Sequence, residues 1–348
     1  MTHNLLNMSN IANMRAFPHT RMRRLRYSPF IRQLVQETTL TTNDLIYPVF
    51  IQQHQDAKQE ITTMPGQFRY NIDGLLRECE SITALKIPAI ALFPAIDQNL
   101  KCNNGLEATN PKGLIPQAIS KIKTNFPELG IITDIALDPY TSHGQDGILD
   151  KKNHINNDET IKILTEQALV HAQAGADILA PSDMMDGRIS KIRIALEQNN
   201  YQNIALLAYA AKFASHYYSP FRNAVASNAC LGKADKKSYQ INYANINEAL
   251  HEVALDLQEG ADMIMVKPGT PYLDVVHAVS NTFKVPTLAY QVSGEYSMQK
   301  LAFMNNILNQ DDIILETLTC FKRAGCAAIL TYFAKDAAKL LLEQNFIE

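Results

Sequence analysis

Met263-Ile264-Met265-Val266-Lys267-Pro268-Gly269-Thr270 is an apolar run that ends on a lysine and is closed at once by Pro-Gly. Such a run reads as a buried strand, with a sharp turn at its C-terminal tip. An ammonium group delivered to that tip loses hydration, which lowers its pKa. A lysine that is neutral part of the time attacks a carbonyl and forms a Schiff base. The competing reading is a strand-end lysine whose apolar stem is buried and whose head reaches solvent. What else arrives at the same end of the sheet decides between them.

Outward from this stretch the chain repeats one pattern. Short β-rich apolar runs occur at Leu45–Ile51, Ala89–Ile96, Gly130–Asp138, Asp177–Asp183, Ile204–Phe213, Asp262–Pro268, Pro286–Gly294 and Ala327–Ala334. Amphipathic stretches alternate with them: Ile72–Leu85, Leu114–Phe126, Asp158–Ala174, Ile189–Gln198, Ile246–Gln258, Tyr272–Asn281, Asp312–Ala324 and Asp336–Leu342. Strand–helix alternation implies parallel strands with right-handed crossovers. About eight units over this length point to an α/β fold, a closed (β/α)8 TIM barrel. An open doubly wound sheet is the alternative, but no G-x-G-x-x-G follows the first run. Three segments, Ala174-Gly175-Ala176-Asp177, Glu259-Gly260-Ala261-Asp262 and Ala324-Gly325-Cys326-Ala327, place a helix-ending glycine before a strand. One joint is being reused, as a barrel requires.

Residues 1–36 differ from the rest. They carry Arg15, Arg21, Arg23, Arg24, Arg26 and Arg32, with no acidic residue before Glu37. We read them as an extended N-terminal arm and 37–348 as the barrel. Phe17, Tyr27, Phe30 and Ile31 give the arm apolar anchors, favouring contact with a neighbouring subunit over nucleic-acid binding or a transit peptide. The net charge of −3 does not suit a polyanion binder. No apolar run is long enough for a membrane span, and no signal-peptide core is present. The five cysteines are scattered, with no C-x-x-C pair. That argues against a disulfide framework or a structural zinc site and suggests a reducing, cytoplasmic setting.

In a barrel of this type the C-terminal strand ends form the active face. Polar residues gather there: Asp134–Asp138 continuing to Asp146, Ser182–Asp183, Lys212, Lys267, Ser293–Glu295 and Thr331–Tyr332. Lys212 and Lys267 end adjacent strands, about 4.8 Å apart in such a sheet. Each ammonium lowers the other's tendency to hold a proton. Two such lysines suggest two carbonyl substrates held together. A long insertion follows Lys212, with Arg222, Lys233, Lys236 and Lys237. It reads as a lid, about 216–240, whose cations suit a carboxylate.

The segments Arg21–Arg26, Asp138–Gly147, Ala180–Arg188, Lys212–Arg222, Met265–Tyr272, Gln291–Tyr296 and Leu330–Phe333 resemble, in order, those of the porphobilinogen synthase (5-aminolevulinate dehydratase) family. The resemblance implies a lyase that condenses two 5-aminolevulinate molecules to porphobilinogen, with loss of two waters, on the route to tetrapyrroles such as heme. It implies that Lys267 binds the first substrate and Lys212 the second. Ser293 and Tyr332 match donors to the first carboxylate; Arg222 and Lys236, with Gln240 as helper, match the clamp on the second.

Many relatives place three cysteines for catalytic zinc where this chain has Ala136, Asp138 and Asp146. Hard oxygen ligands favour Mg2+ or a monovalent cation if anything. The chain thus resembles the zinc-independent, aspartate-rich branch, with no catalytic zinc and no organic cofactor expected. Asp138 and Asp146 are then candidates for cation binding, for positioning the second substrate's amino group, or for base catalysis. Glu252 matches an allosteric Mg2+ site of bacterial relatives, and the arm matches one that embraces a neighbour in a homo-octamer. The alternatives are a class I Schiff-base aldolase, which leaves Lys212 unexplained, and nucleic-acid binding through the arm, which leaves the strand-end cluster idle.

Overall fold

The computed structural model describes residues 16–225 and 235–347. The chain divides into two compact units between Thr39 and Leu40, close to the composition change at Glu37. In the first unit, a 3-10 helix spans Met22–Arg26 and an α-helix spans Pro29–Leu34. Pro29 occupies the first helical position, where its missing N–H is harmless. None of the described residues of this unit is buried. Phe17, Met22, Tyr27, Phe30 and Leu34 all expose more than half of their surface. The arm is therefore locally helical, not fully extended. Its weak periodicity reflects the absence of any buried face.

The second unit is built on strands β1 (Leu45–Gln52), β2 (Lys58–Glu60), β3 (Phe68–Tyr70), β4 (Ala89–Ala95), β5 (Gly130–Ile135), β6 (Ile178–Pro181), β7 (Ala205–Lys212), β8 (Met263–Lys267), β9 (Thr287–Gln291) and β10 (Ile329–Thr331). Strands β1 and β4 to β10 pair in parallel in chain order, and β10 returns to β1 through Leu45↔Ile329 and Ile46↔Leu330. The expected eight-stranded closed barrel is the architecture found. The eight barrel strands are almost wholly buried, since helices cover the outside and side chains fill the inside.

Gly175, Gly260 and Gly325 have φ of +106°, +106° and +108°, the left-handed cap that glycine adopts freely. Each joint repeats the same hydrogen bond beyond the glycine: Ala176 N to His171 O, Ala261 N to Asp256 O and Cys326 N to Phe321 O. The next residue then enters the sheet, as Asp177 N to Ile131 O, Asp262 N to Leu206 O and Ala327 N to Thr287 O. The recurrence seen in the sequence is one local structure used three times.

Two elements go beyond the sequence reading. The hairpin β2–β3 adds to the edge of β1 that β10 leaves open, through Phe50↔Arg69 and Ile51↔Tyr70. A helix spans Ser293–Met304, where the sequence reading had only a strand end. Its exposed Met298, Leu301 and Met304 blur the one-sided apolar pattern that marks a packed helix. Among the described residues no helix is long and apolar enough to cross a membrane. Cys79, Cys102, Cys320 and Cys326 are free thiols, and Cys230 lies outside the described residues.

Candidate active site

Lys212 and Lys267 are register partners across β7 and β8. A bulge makes them so: Ala208 pairs with Ile264 but Ala211 pairs with Val266, so β7 carries one extra residue. Without it Lys212 would stand one position beyond Lys267 and face the other way. Both side chains are buried, at 5% and 6% exposure.

The surroundings of the two amines differ. Lys212 Nζ lies 3.2 Å from Asp146 Oδ1 and donates to the Ser182 carbonyl. Lys267 Nζ is enclosed by the rings of Tyr290, Phe221, Tyr218 and Tyr209, at 4.8, 5.1, 5.2 and 5.3 Å from the centroids. Burial, and then the charge of Lys212, push the Lys267 amine down to about 7. An amine in that range is neutral part of the time near neutral pH and can then attack a carbonyl.

Lys236 Nζ sits between Asp146 Oδ2 at 2.5 Å and Asp138 Oδ2 at 3.1 Å. Burial alone would lower the Lys236 pKa, but the two carboxylates outweigh it and raise it. Burial likewise works to raise Asp146, yet Lys212 and Lys236 hold it below the usual carboxylate range. Tyr239 OH adds a contact at 2.7 Å to Asp146 Oδ2. Asp138 and Asp146 are thus paired with lysine side chains. Among the described residues no group of three or more His, Cys, Asp or Glu side chains is arranged to hold a metal ion.

Asp134, Asp138, Ser182, Lys212, Tyr218, Phe221, Arg222, Lys236, Gln240 and Lys267 line a cavity of about 30 Å³ at the C-terminal mouth of the barrel. Ser293 and Tyr332 are not among the residues lining this cavity. Ser293 Oγ accepts from the Phe221 N–H at 2.9 Å, and Tyr332 OH is 2.7 Å from Tyr290 OH. Phe221 belongs to a short helix, Ser219–Ala224, and its ring packs edge-on against Phe93 at 5.3 Å. Gly294 permits the approach of this segment: a Cβ there would stand 2.5 Å from the Tyr217 carbonyl oxygen. Of the lid expected at about 216–240, residues 226–234, including Lys233, lie outside the described residues.

Asp134 is the residue that the sequence reading left unassigned. It lies on β5, four residues before Asp138, and reaches the same cavity. Burial pushes its carboxyl up to about 6, against the pull of Lys267 and a hydrogen bond with Ser182. Its place near the end of the strand that leads to Asp138 was the available signal, since the C-terminal strand ends form the active face. Tyr239 and the aromatic enclosure of Lys267 had no comparable signal.

Glu252 stands apart, half-buried on the outer helix Asn247–Gln258. Burial raises its pKa, Asp256, Asp186 and Glu248 add to the rise, and Arg188 opposes it. Arg188 is itself buried and bonded to both carboxylate oxygens of Asp256 at 3.0 and 2.9 Å.

The chain was compared with known proteins. The family model described as delta-aminolevulinic acid dehydratase matches residues 19–340. A delta-aminolevulinic acid dehydratase of Bradyrhizobium diazoefficiens is 50% identical over 325 residues, covering 93% of this chain and 92% of the relative. One from Methanothermus sociabilis is 48% identical over 320 residues, covering 92% and 98%. Among solved structures, the Toxoplasma gondii delta-aminolevulinic acid dehydratase (porphobilinogen synthase), in complex with the reaction product porphobilinogen, superposes with a TM-score of 0.91 at 45% identity, covering 93% of this chain and 92% of that one. The closed barrel, the paired buried lysines at its mouth and these matches along nearly the whole length lead to one assignment: the chain belongs to the delta-aminolevulinic acid dehydratase family.

Proposed function

We propose that this chain is a lyase that condenses two molecules of 5-aminolevulinate into porphobilinogen, with loss of two waters, through Schiff bases on Lys267 and Lys212. The observation that carries the reading is the pair of buried amines in register on β7 and β8. Their different surroundings suit an ordered use. Lys267, whose amine is pushed down to about 7, captures the ketone of the first substrate as an iminium. Lys212, beside Asp146, captures the second.

Iminium formation acidifies the adjacent carbon. Loss of a proton gives an enamine, which attacks the other iminium carbon. Closure of the carbon–nitrogen bond and a final proton loss give the aromatic pyrrole and return both amines. Asp138 and Asp146, already engaged with cationic nitrogens, would hold the free amino group of the second substrate in this reading, with Asp138 the candidate proton acceptor. Arg222 and Lys236, helped by Gln240, receive the second carboxylate; Ser293 and Tyr332 receive the first.

Phe221 lines the active-site cavity while its N–H is bonded to Ser293 Oγ, so in this reading the helix Ser219–Ala224 moves aside for substrate entry.

Mg2+ at Glu252 is part of the proposal. Glu252, with Asp256, Asp186 and Glu248 nearby, is an anionic environment that a cation relieves. One direct carboxylate with the remaining positions filled by water suits Mg2+, which dehydrates reluctantly. The exposed apolar and basic arm suits contact with another copy, and a homo-octamer is the proposed assembly. Mg2+ favours it by binding that form more tightly. We place the enzyme in the cytoplasm, in keeping with its free thiols.

The test is borohydride reduction in the presence of 5-aminolevulinate, followed by mass mapping of the modified lysines. Substrate-derived mass on Lys267 is expected; its absence there sinks the mechanism. Activity that survives a zinc-selective chelator is the companion expectation.

A further inference from the structure

We infer that the β2–β3 hairpin positions the lid helix Ser219–Ala224, and that Arg69 is the residue through which it acts. The hairpin sits at the mouth of the barrel because β3 pairs with the C-terminal end of β1, placing Arg69 beside Phe50. From there Arg69 Nε donates to the Ala224 carbonyl at 2.5 Å. Ala224 is the last residue of the lid helix, where carbonyls take partners from outside the helix. A guanidinium is always charged, and a charge-assisted bond from it holds at any working pH. Near the helix's other end, Thr63 Oγ1 donates to the Pro220 carbonyl at 3.4 Å. The hairpin thus grips the lid helix at both ends, with Phe221 and Arg222 between the two grips.

The hairpin has a firm footing on the barrel. Tyr296 OH donates to the Pro65 carbonyl at 2.6 Å, and Ser297 Oγ to the Thr63 carbonyl at 2.8 Å. Gln67 Nε2 reaches the Tyr332 carbonyl at 3.3 Å, and Gln67 Oε1 accepts from Tyr47 OH at 3.0 Å. One short hairpin therefore connects the lid that carries Arg222 to the backbone of Tyr332. Arg69 touches none of the reacting groups and is a positioning residue. The inference rests on the proposed role of Arg222 in holding the second substrate.

The test compares wild type with Arg69→Met and Arg69→Lys in steady-state turnover of 5-aminolevulinate. Arg69→Met should raise KM roughly tenfold, the scale of losing one charge-assisted hydrogen bond, with kcat changed less. Arg69→Lys, which keeps a cationic donor, should recover most of the loss, and thermal melting should move little in either. An unchanged KM in Arg69→Met overturns the inference. So does a lysine variant no better than methionine, since packing alone would then explain the effect. If Arg69→Met does not fold, Thr63→Val, which removes the other grip, must raise KM instead, and an unchanged value there has the same force. Borohydride trapping is run alongside: absence of a Lys267 adduct in wild type removes the Schiff-base reading but leaves the KM comparison to judge the hairpin.

Discussion

Lys212 and Lys267 stand side by side on β7 and β8, yet one amine faces a carboxylate and a carbonyl while the other faces four aromatic rings. The same register that makes them neighbours makes them unequal. Asp146 pairs with Lys212, while burial and then the neighbouring charge of Lys212 disfavour the ammonium form of Lys267.

Replacing Lys212 should therefore change the acidity of Lys267. With Lys267 pushed down to about 7, the neutral fraction grows as pH rises through that value, and adduct formation with 5-aminolevulinate should rise with it. In Lys212→Ala the repelling charge is gone, so the ammonium form of Lys267 is favoured and the half-point should move to higher pH. The first Schiff base should still form, while pyrrole formation falls by about 10⁴-fold or more, as for loss of a covalent nucleophile. Trapping yield against pH, alongside product assays, measures both. A half-point that stays in place would show that Lys212 does not carry charge beside Lys267.

His171 gives a stability prediction. It is buried, neither ring nitrogen has a hydrogen-bond partner among the described residues, and burial pushes its pKa down to about 3 from 6.5. The folded value lies below the unfolded one, so as pH falls the unfolded chain takes up this proton first. Stability should fall from about pH 6.5 towards 3, by at most about 1.4 kcal/mol per pH unit from this group. His171→Leu removes the proton site and should flatten the acid side of the profile. Urea unfolding of both proteins at pH 7 and pH 5 decides it; equal slopes would discharge His171 from this role.

Glu252→Gln should abolish the response to Mg2+ while leaving Mg2+-free turnover within about twofold, because the side chain lies outside the active-site cavity. Titration calorimetry with Mg2+ and sedimentation with and without the ion provide readouts independent of turnover. Full binding and an unaltered assembly response in the variant would place the ion elsewhere.

The alternation of strands and helices, the three glycine joints and the lysine at the tip of Met263–Lys267 could be read from the sequence because each is set by residues close together in the chain. Burial, capping and turn chemistry act over a few positions, so spacing and residue type suffice to reveal them. Even Asp134 was within reach, since its place near the tip of the strand that leads to Asp138 is local. The helix Ser293–Met304 and the hairpin β2–β3 were not, because their apolar faces are incomplete and their partners are distant.

The sequence by itself determined the barrel, the face on which chemistry gathers, and the two lysines that reach it. Only the tertiary structure decided their relation. A one-residue bulge in β7 sets Lys212 level with Lys267, since register along paired strands is fixed by packing across the sheet. Likewise Lys236 comes to rest between Asp138 and Asp146, residues far from it in the chain, because opposite charges taken out of water must pair. Residue types supply the groups; closure of the sheet and the electrostatics of its interior choose which of them meet.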